Sequence, residues 1–171
     1  DVYNARAQIG EQESSKINEA RIGVRETLDD AITDLELLIR SEDMVGYVLD
    51  SSEQNRQRLE RSLASFAKVK RAFDQVRFID LQGDERVRVN LVDREPVATT
   101  AAELQNKKHR YYFSDAIGLA SGKVFMSRLD LNIERKKVEI PYKPMIRLVA
   151  PVDVGGKRYG VVVLNYLAEN F

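Results

Sequence analysis

The chain has 171 residues, with 27 Lys plus Arg against 27 Asp plus Glu, one His, no Cys and no Trp, and 43% of its residues are hydrophobic. That suffices for one medium domain without a disulfide or metal staple; zero net charge gives no counterion-release drive toward nucleic acid, and the lack of Cys removes thiol nucleophiles and thiolate metal sites. No run approaches the roughly 20 apolar residues that span a bilayer, and the opening Asp1-Val2-Tyr3-Asn4 lacks Met and a signal-peptide core, so it reads as a piece of a longer chain.

Charge divides the chain. Residues 1–50 hold 12 acids and 5 bases, and residues 51–171 hold 15 acids and 22 bases. The first part reads as one long helix, because Ile17, Val24, Leu28, Ala31, Leu35 and Leu38 recur at heptad-like steps in a stretch without Pro. Such a stripe either packs along the sheet of its own domain or pairs partly with a second copy. The stripe lapses at Ser41 to Asp50. Ser51 with Gln54 then fits a capping box for a second helix whose apolar face is Leu59, Leu63, Phe66 and Ala67 and whose end is near Lys70.

Periodicity next changes to two. Val76 to Leu81 and Arg86 to Leu91 flank the turn Gln82-Gly83-Asp84-Glu85, which is a hairpin pattern. Residues 92–106 read as a loop with one helical turn. A short helix is expected over Tyr111 to Leu119 and a strand over Val124 to Ser127, followed by an exposed polar segment from Arg128 to Lys137. Val138 to Ile140 reads as extended, before Pro141 and Pro144. A last hairpin pairs Met145 to Val152 with Arg158 to Tyr166, and its run Gly160 to Leu164 is apolar at every position, as expected of a central strand covered on both faces. The fold class is therefore α+β with a mostly antiparallel sheet.

In this order, "VRFIDLQGDERVRVN", "LQNKKHRYYFSDA", "GKVFMSRLDLN" and "VEIPYKPMIRLVAPV…GKRYGVVVLNY" resemble the extracytoplasmic Cache domains, also called PAS-like PDC sensor domains, of bacterial and archaeal transmembrane receptors. The resemblance covers essentially the whole chain, and its end resembles that of a membrane-distal module in tandem sensors. It implies a long N-terminal helix on a five-stranded antiparallel sheet, with residues 1–50 as a signalling or dimerisation helix and residues 51–171 as the ligand-binding core. It further implies a periplasmic, membrane-anchored setting, a small-molecule ligand, and output through a histidine kinase, a diguanylate cyclase or a chemoreceptor. A homodimer through the N-terminal helix belongs to the same expectation.

The first binding candidates are Arg110, Tyr111, Tyr112 and Phe113. Arg offers a planar fork matched to carboxylates, and aromatic rings wall pockets. This set looks like the Arg-x-aromatic-aromatic element that holds the carboxylate in amino-acid-binding relatives, although the Tyr five residues earlier in that pattern is Gln105 here. An amino acid or organic acid is the ligand class implied. Ser127, Asp130 and Asn132 can accept from an ammonium or orient a hydroxyl; Tyr142, Lys143 and Arg147 flank two prolines; Asp153 lies in the final hairpin loop, where a family acid recognises ligand amines.

The bland account of the same residues is core aromatics, turn-forming acids and a solvated run Lys107-Lys108-His109-Arg110. His109, the only histidine, lacks further ligands for a metal site, so no metal and no cofactor are expected. No nucleophile elbow, Walker loop or dinucleotide fingerprint is present, and a non-catalytic domain follows. The alternative function is an interaction or dimerisation module with a vestigial pocket. A third, a cytoplasmic PAS-like cofactor domain, would give a coloured preparation.

Overall fold

The computed structural model describes residues 2–134 and 137–170. Helix α1 spans Val2–Ile39 and ends where Ser41 accepts the Met44 N–H at 3.3 Å and so caps α2, Glu42–Leu49. Sequence periodicity missed α2, since eight residues make barely two turns; its buried side chains are Met44 and Tyr47. Helix α3 spans Glu53–Lys70, and its N-cap is Ser52, one residue later than expected, accepting the Asn55 N–H at 3.4 Å.

The first hairpin joins β1, Phe73–Asp80, to β2, Glu85–Val92. Strand β3, Glu95–Ala98, lies within the expected loop and pairs with β2. Pro96 suits it because β3 is an edge, where a missing N–H leaves no partner bare. Helix α4 spans Tyr111–Ile117, and the short strands β4, Phe125–Met126, and β5, Asp130–Leu131, both pair with β8, Pro144–Val154. Ile133–Glu134 forms β6 and Lys137–Val138 forms β7, a separate two-stranded pair. Strand β9, Lys157–Leu167, closes the chain of strands.

The main sheet runs β3-β2-β1-β9-β8-β4, with β5 beside β8, seven strands among the described residues. Its four long strands are β1, β2, β8 and β9, and the pairings are antiparallel. Strand β9 is central, flanked by β1 and β8, as its apolar run predicts.

Side-chain alternation gives the sheet two different faces. One buries Phe73, Val76, Phe78, Val87, Val89, Leu148, Ala150, Val162, Leu164 and Tyr166 under the helices, which contribute Ala31, Leu35, Leu38, Met44, Tyr47, Leu59 and Leu63. Only the C-terminal part of the α1 stripe takes part: Ala31, Leu35 and Leu38 are buried, whereas Ile17 is 70% exposed. The opposite face carries a smaller apolar cluster, Ile79, Val149, Val161 and Val163 under Tyr112, Phe113 and Ala116 of α4. Among the described residues no helix is long and apolar enough to cross a membrane.

Candidate functional site

On the α4 face, the register places Gln75 opposite Asn165, with Arg77 beside them, at strand positions that alternate with the helix-facing residues. Arg77 donates from Nη1 to Glu85 at 3.0 Å and from Nη2 to Asn165 Oδ1 at 2.9 Å, and Asn165 Nδ2 donates to Gln75 at 3.1 Å. Glu85 is a buried hub. Its other oxygen accepts from Arg88 at 2.9 Å and from the Gln105 backbone N–H at 3.0 Å, and Lys107 Nζ stands 4.0 Å away.

The segment before α4 is held there by a close approach. Lys107 N–H donates to the Gly83 carbonyl at 2.7 Å, and Gly83 has φ +87°, with space for a Cβ only 2.6 Å from that of Lys108. Lys107 is therefore buried, contrary to the expected solvated run, while Lys108 and His109 are exposed. Its amine is satisfied by Gln105 at 3.0 Å, which a reading of local charge could not foresee.

Three guanidinium groups converge on the buried ring of Tyr112: Arg147 at 5.1 Å, Arg77 at 5.5 Å and Arg110 at 5.6 Å from its centroid. Arg147 is 1% exposed. Its Nη1 donates to Asp130 Oδ1 and its Nη2 to Asn132 Oδ1 at 3.3 Å, while its buried Nε has no hydrogen-bond partner among the described residues. Asp130 also accepts from the Tyr111 hydroxyl at 2.6 Å. Burial, and then that carboxylate, push the Tyr111 phenol above its ordinary range.

Two cavities flank this group. One of about 570 Å³ is lined by His109, Arg110, Tyr111, Arg128, Asp130, Leu131 and Ile133. The other, about 220 Å³, is lined by Asp74, Gln75, Arg88, Asn90, Gln105, Glu139 and Lys143 among others. The first is of a size that takes small metabolites. Around Tyr112 stand Arg77, Arg110 and Arg147, with Glu85 paired to Arg77 and Asp130 to Arg147, so the local field favours an anion.

Lys143 bridges Asp74 at 3.0 Å and Glu139 at 2.9 Å. Burial works against its charge, but the hydrogen bonds to Glu139 and Asp74 outweigh it and raise the ammonium above its ordinary value. Asp74 shares that cation with Glu139, and burial, only partly offset by Lys143, holds its carboxyl above 3.8. A raised acid means that the folded state holds the proton more tightly than the unfolded state. Stability from this group is thus greatest below about pH 4 and declines as pH rises through the folded-state value. Asp74→Asn should gain stability relative to wild type as pH rises above about 4 in urea unfolding; parallel profiles would contradict this.

Of the sequence candidates, the fold gathers Arg110, Tyr111, Tyr112, Asp130, Asn132 and Arg147 into one neighbourhood. Ser127 joins them by accepting the Arg147 backbone N–H at 2.9 Å, and Phe113 belongs to the apolar cluster under α4. Lys143 lines the second cavity. Tyr142 is 67% exposed, and Asp153 is engaged by Arg158 through two hydrogen bonds of 2.9 Å at the hairpin end. The segment expected to be wholly exposed is not: Asn132 is buried and donates to Glu139 at 2.8 Å, because β5 docks it on β8; Arg135 and Lys136 of that segment lie outside the described residues.

Sequence reasoning missed Gln75, Arg77, Glu85, Arg88 and Asn165. A signal existed, since Arg77 and Arg88 interrupt hairpin strands and Asn165 follows four apolar residues in the strand read as covered on both faces. A polar side chain there must find a partner or a ligand.

A family model described as bacterial histidine kinase, sensor domain, matches residues 25–169. No curated protein matches. Among solved structures, the extracellular domain of vpHK1S-Z8, described as a histidine kinase, superposes with a TM-score of 0.79 at 25% identity, covering 88% of this chain and 53% of that one. A domain of a sensory box/GGDEF family protein from Vibrio parahaemolyticus gives 0.77 at 25% identity, covering 86% and 55%. The sensory domain of the Campylobacter jejuni chemoreceptor Tlp3 with isoleucine bound gives 0.65 at 14% identity, covering 86% and 54%, a likeness of fold. The chain spans about half the length of these structures.

Proposed function

This chain belongs to the sensor-domain family of bacterial histidine kinases, and from that membership we propose that it is the extracytoplasmic ligand-binding module of a membrane-anchored receptor, taking a small carboxylate on the α4 face and signalling through α1. The observation that carries the reading is the two-sidedness of β8. Arg147 and Val149 face α4, while Leu148 and Ala150 pack in the cluster that holds the end of α1. A ligand that engages Arg147 therefore acts on the strand against which the helix rests. It can bias that helix only through a difference in affinity between two arrangements.

The cationic surroundings of Tyr112 support an amino acid or organic acid, and Tlp3, a chemoreceptor of the same fold, has isoleucine and valine complexes. A histidine kinase, cyclase or chemoreceptor output and a homodimer through α1 complete the proposal; the exposed Ile17, Ile22 and Val24 favour self-association.

A thermal-shift screen of amino acids and organic acids tests it, because binding to the folded state raises apparent stability. Arg147→Ala should weaken any hit by about 10- to 100-fold, the worth of a charged hydrogen bond of roughly 1.5–3 kcal/mol. Arg110→Ala, removing a half-buried group at the cavity, should weaken it less. No hits together with concentration-dependent association would favour the interaction module instead.

A further inference from the structure

We propose that Asp130 is a built-in competitor for ligand anions, its carboxylate holding the Arg147 guanidinium that an incoming anion must win. The proposal rests on the reading of the α4 face as the ligand pocket, and concerns how that pocket is regulated.

Arg147 is the deepest cation beside Tyr112, at 1% exposure, yet its Nη1 is taken by Asp130. The Asp130 side chain is 25% exposed and lines the cavity of about 570 Å³. It is the one carboxylate among the described residues of that lining, where Arg110, Arg128 and His109 supply the charged and titratable groups. An anion drawn in by those cations meets Asp130, which stands in the lining and already neutralises the buried Arg147. A ligand carboxylate can reproduce what Asp130 offers: one oxygen for the guanidinium and one for the Tyr111 hydroxyl, which Asp130 now accepts at 2.6 Å. Arg147 Nε, buried without a hydrogen-bond partner among the described residues, is a further donor that Asp130 leaves unused.

The exchange is anion for anion, so no charge is stranded. Asp130 can leave cheaply. It sits on a two-residue strand whose second residue, Leu131, pairs with Pro144, which has no N–H to give. Its departure loosens β5 from β8, the strand bearing α1 on its other face. While Asp130 occupies Arg147, only the fraction of molecules with the pair open is competent, and apparent affinity is reduced by that fraction.

The test compares wild type with Asp130→Asn by calorimetry against sodium acetate, sodium succinate and isoleucine, with the side-chain Nε–H resonance of Arg147 followed by NMR. The amide keeps the shape and one acceptor but not the charge. Expected is about tenfold tighter binding of the carboxylates by Asp130→Asn, with the Arg147 resonance moving on titration. Asp130→Ala, which removes the competing carboxylate altogether and leaves the Tyr111 hydroxyl for the ligand, should shift affinity in the same direction, and it carries the test if Asp130→Asn does not fold. If wild type binds and the variants bind equally or more weakly, above all if isoleucine binding is lost, Asp130 is a ligand contact; the competitor proposal falls and the sensor reading stands. If neither wild type nor variants bind any of these anions, both fall together.

Discussion

Glu85→Ala is expected to destabilise the protein by about 3–5 kcal/mol in urea unfolding, the cost of leaving a buried charge without its partner. Glu85 is fully buried and serves Arg77 at 3.0 Å, Arg88 at 2.9 Å and the Gln105 N–H at 3.0 Å, with Lys107 beyond at 4.0 Å. Alanine removes the acceptor from all of them at once and leaves like charges facing one another in a low-dielectric space. Glu85→Gln keeps an acceptor and loses only the charge, so it should cost less. Because Gln105 and Lys107 lead into α4, the alanine variant should also expose Tyr112, read as a change in near-ultraviolet dichroism. A loss below about 1 kcal/mol would mean that water or other acceptors serve these cations, and that the network does not hold the pocket together.

The second large effect concerns the helix. Leu35→Ala should cost about 2–5 kcal/mol, since Leu35 is fully buried between α1 and the sheet and truncation leaves a cavity. The same change at Ile17, exposed in the single chain, should cost little unless a second copy covers it. Amide exchange adds a functional readout. In Leu35→Ala the amides of residues 31–39 should exchange faster while β9 stays protected, because the loosened element is the seat of α1 and the central strand keeps both neighbours. Equal loss of protection throughout would instead show that α1 and the sheet open as one unit, which would leave no soft joint through which a pocket event could reach the helix.

Much of this architecture was legible in the chain. The hairpin from Val76 to Leu91 announced itself by alternation around Gly83, and the final hairpin by its apolar run and the Gly155-Gly156 turn. Helices α1 and α3 followed from their stripes. What escaped was short or depended on neighbours: α2 has too few residues for a period, and β3 becomes a strand only because β2 offers it an edge. In the candidate site, Arg110 to Phe113 were visible as a local motif, while the pairing of Arg77 with Asn165 was not, the two being 88 residues apart.

The sequence by itself determined the α+β class and the order of the main elements, because hydrophobic periods and turn residues act within a few positions of one another, and its motifs carry the family resemblance. The tertiary structure decided which polar side chains meet. Arg77 finds Asn165 because β1 lies beside β9, and Arg147 finds Asp130 because β5 folds back onto β8. Strand order is settled by the burial of both sheet faces at once, and beyond the apolar run that marks β9 as central no local pattern records which strands become its neighbours.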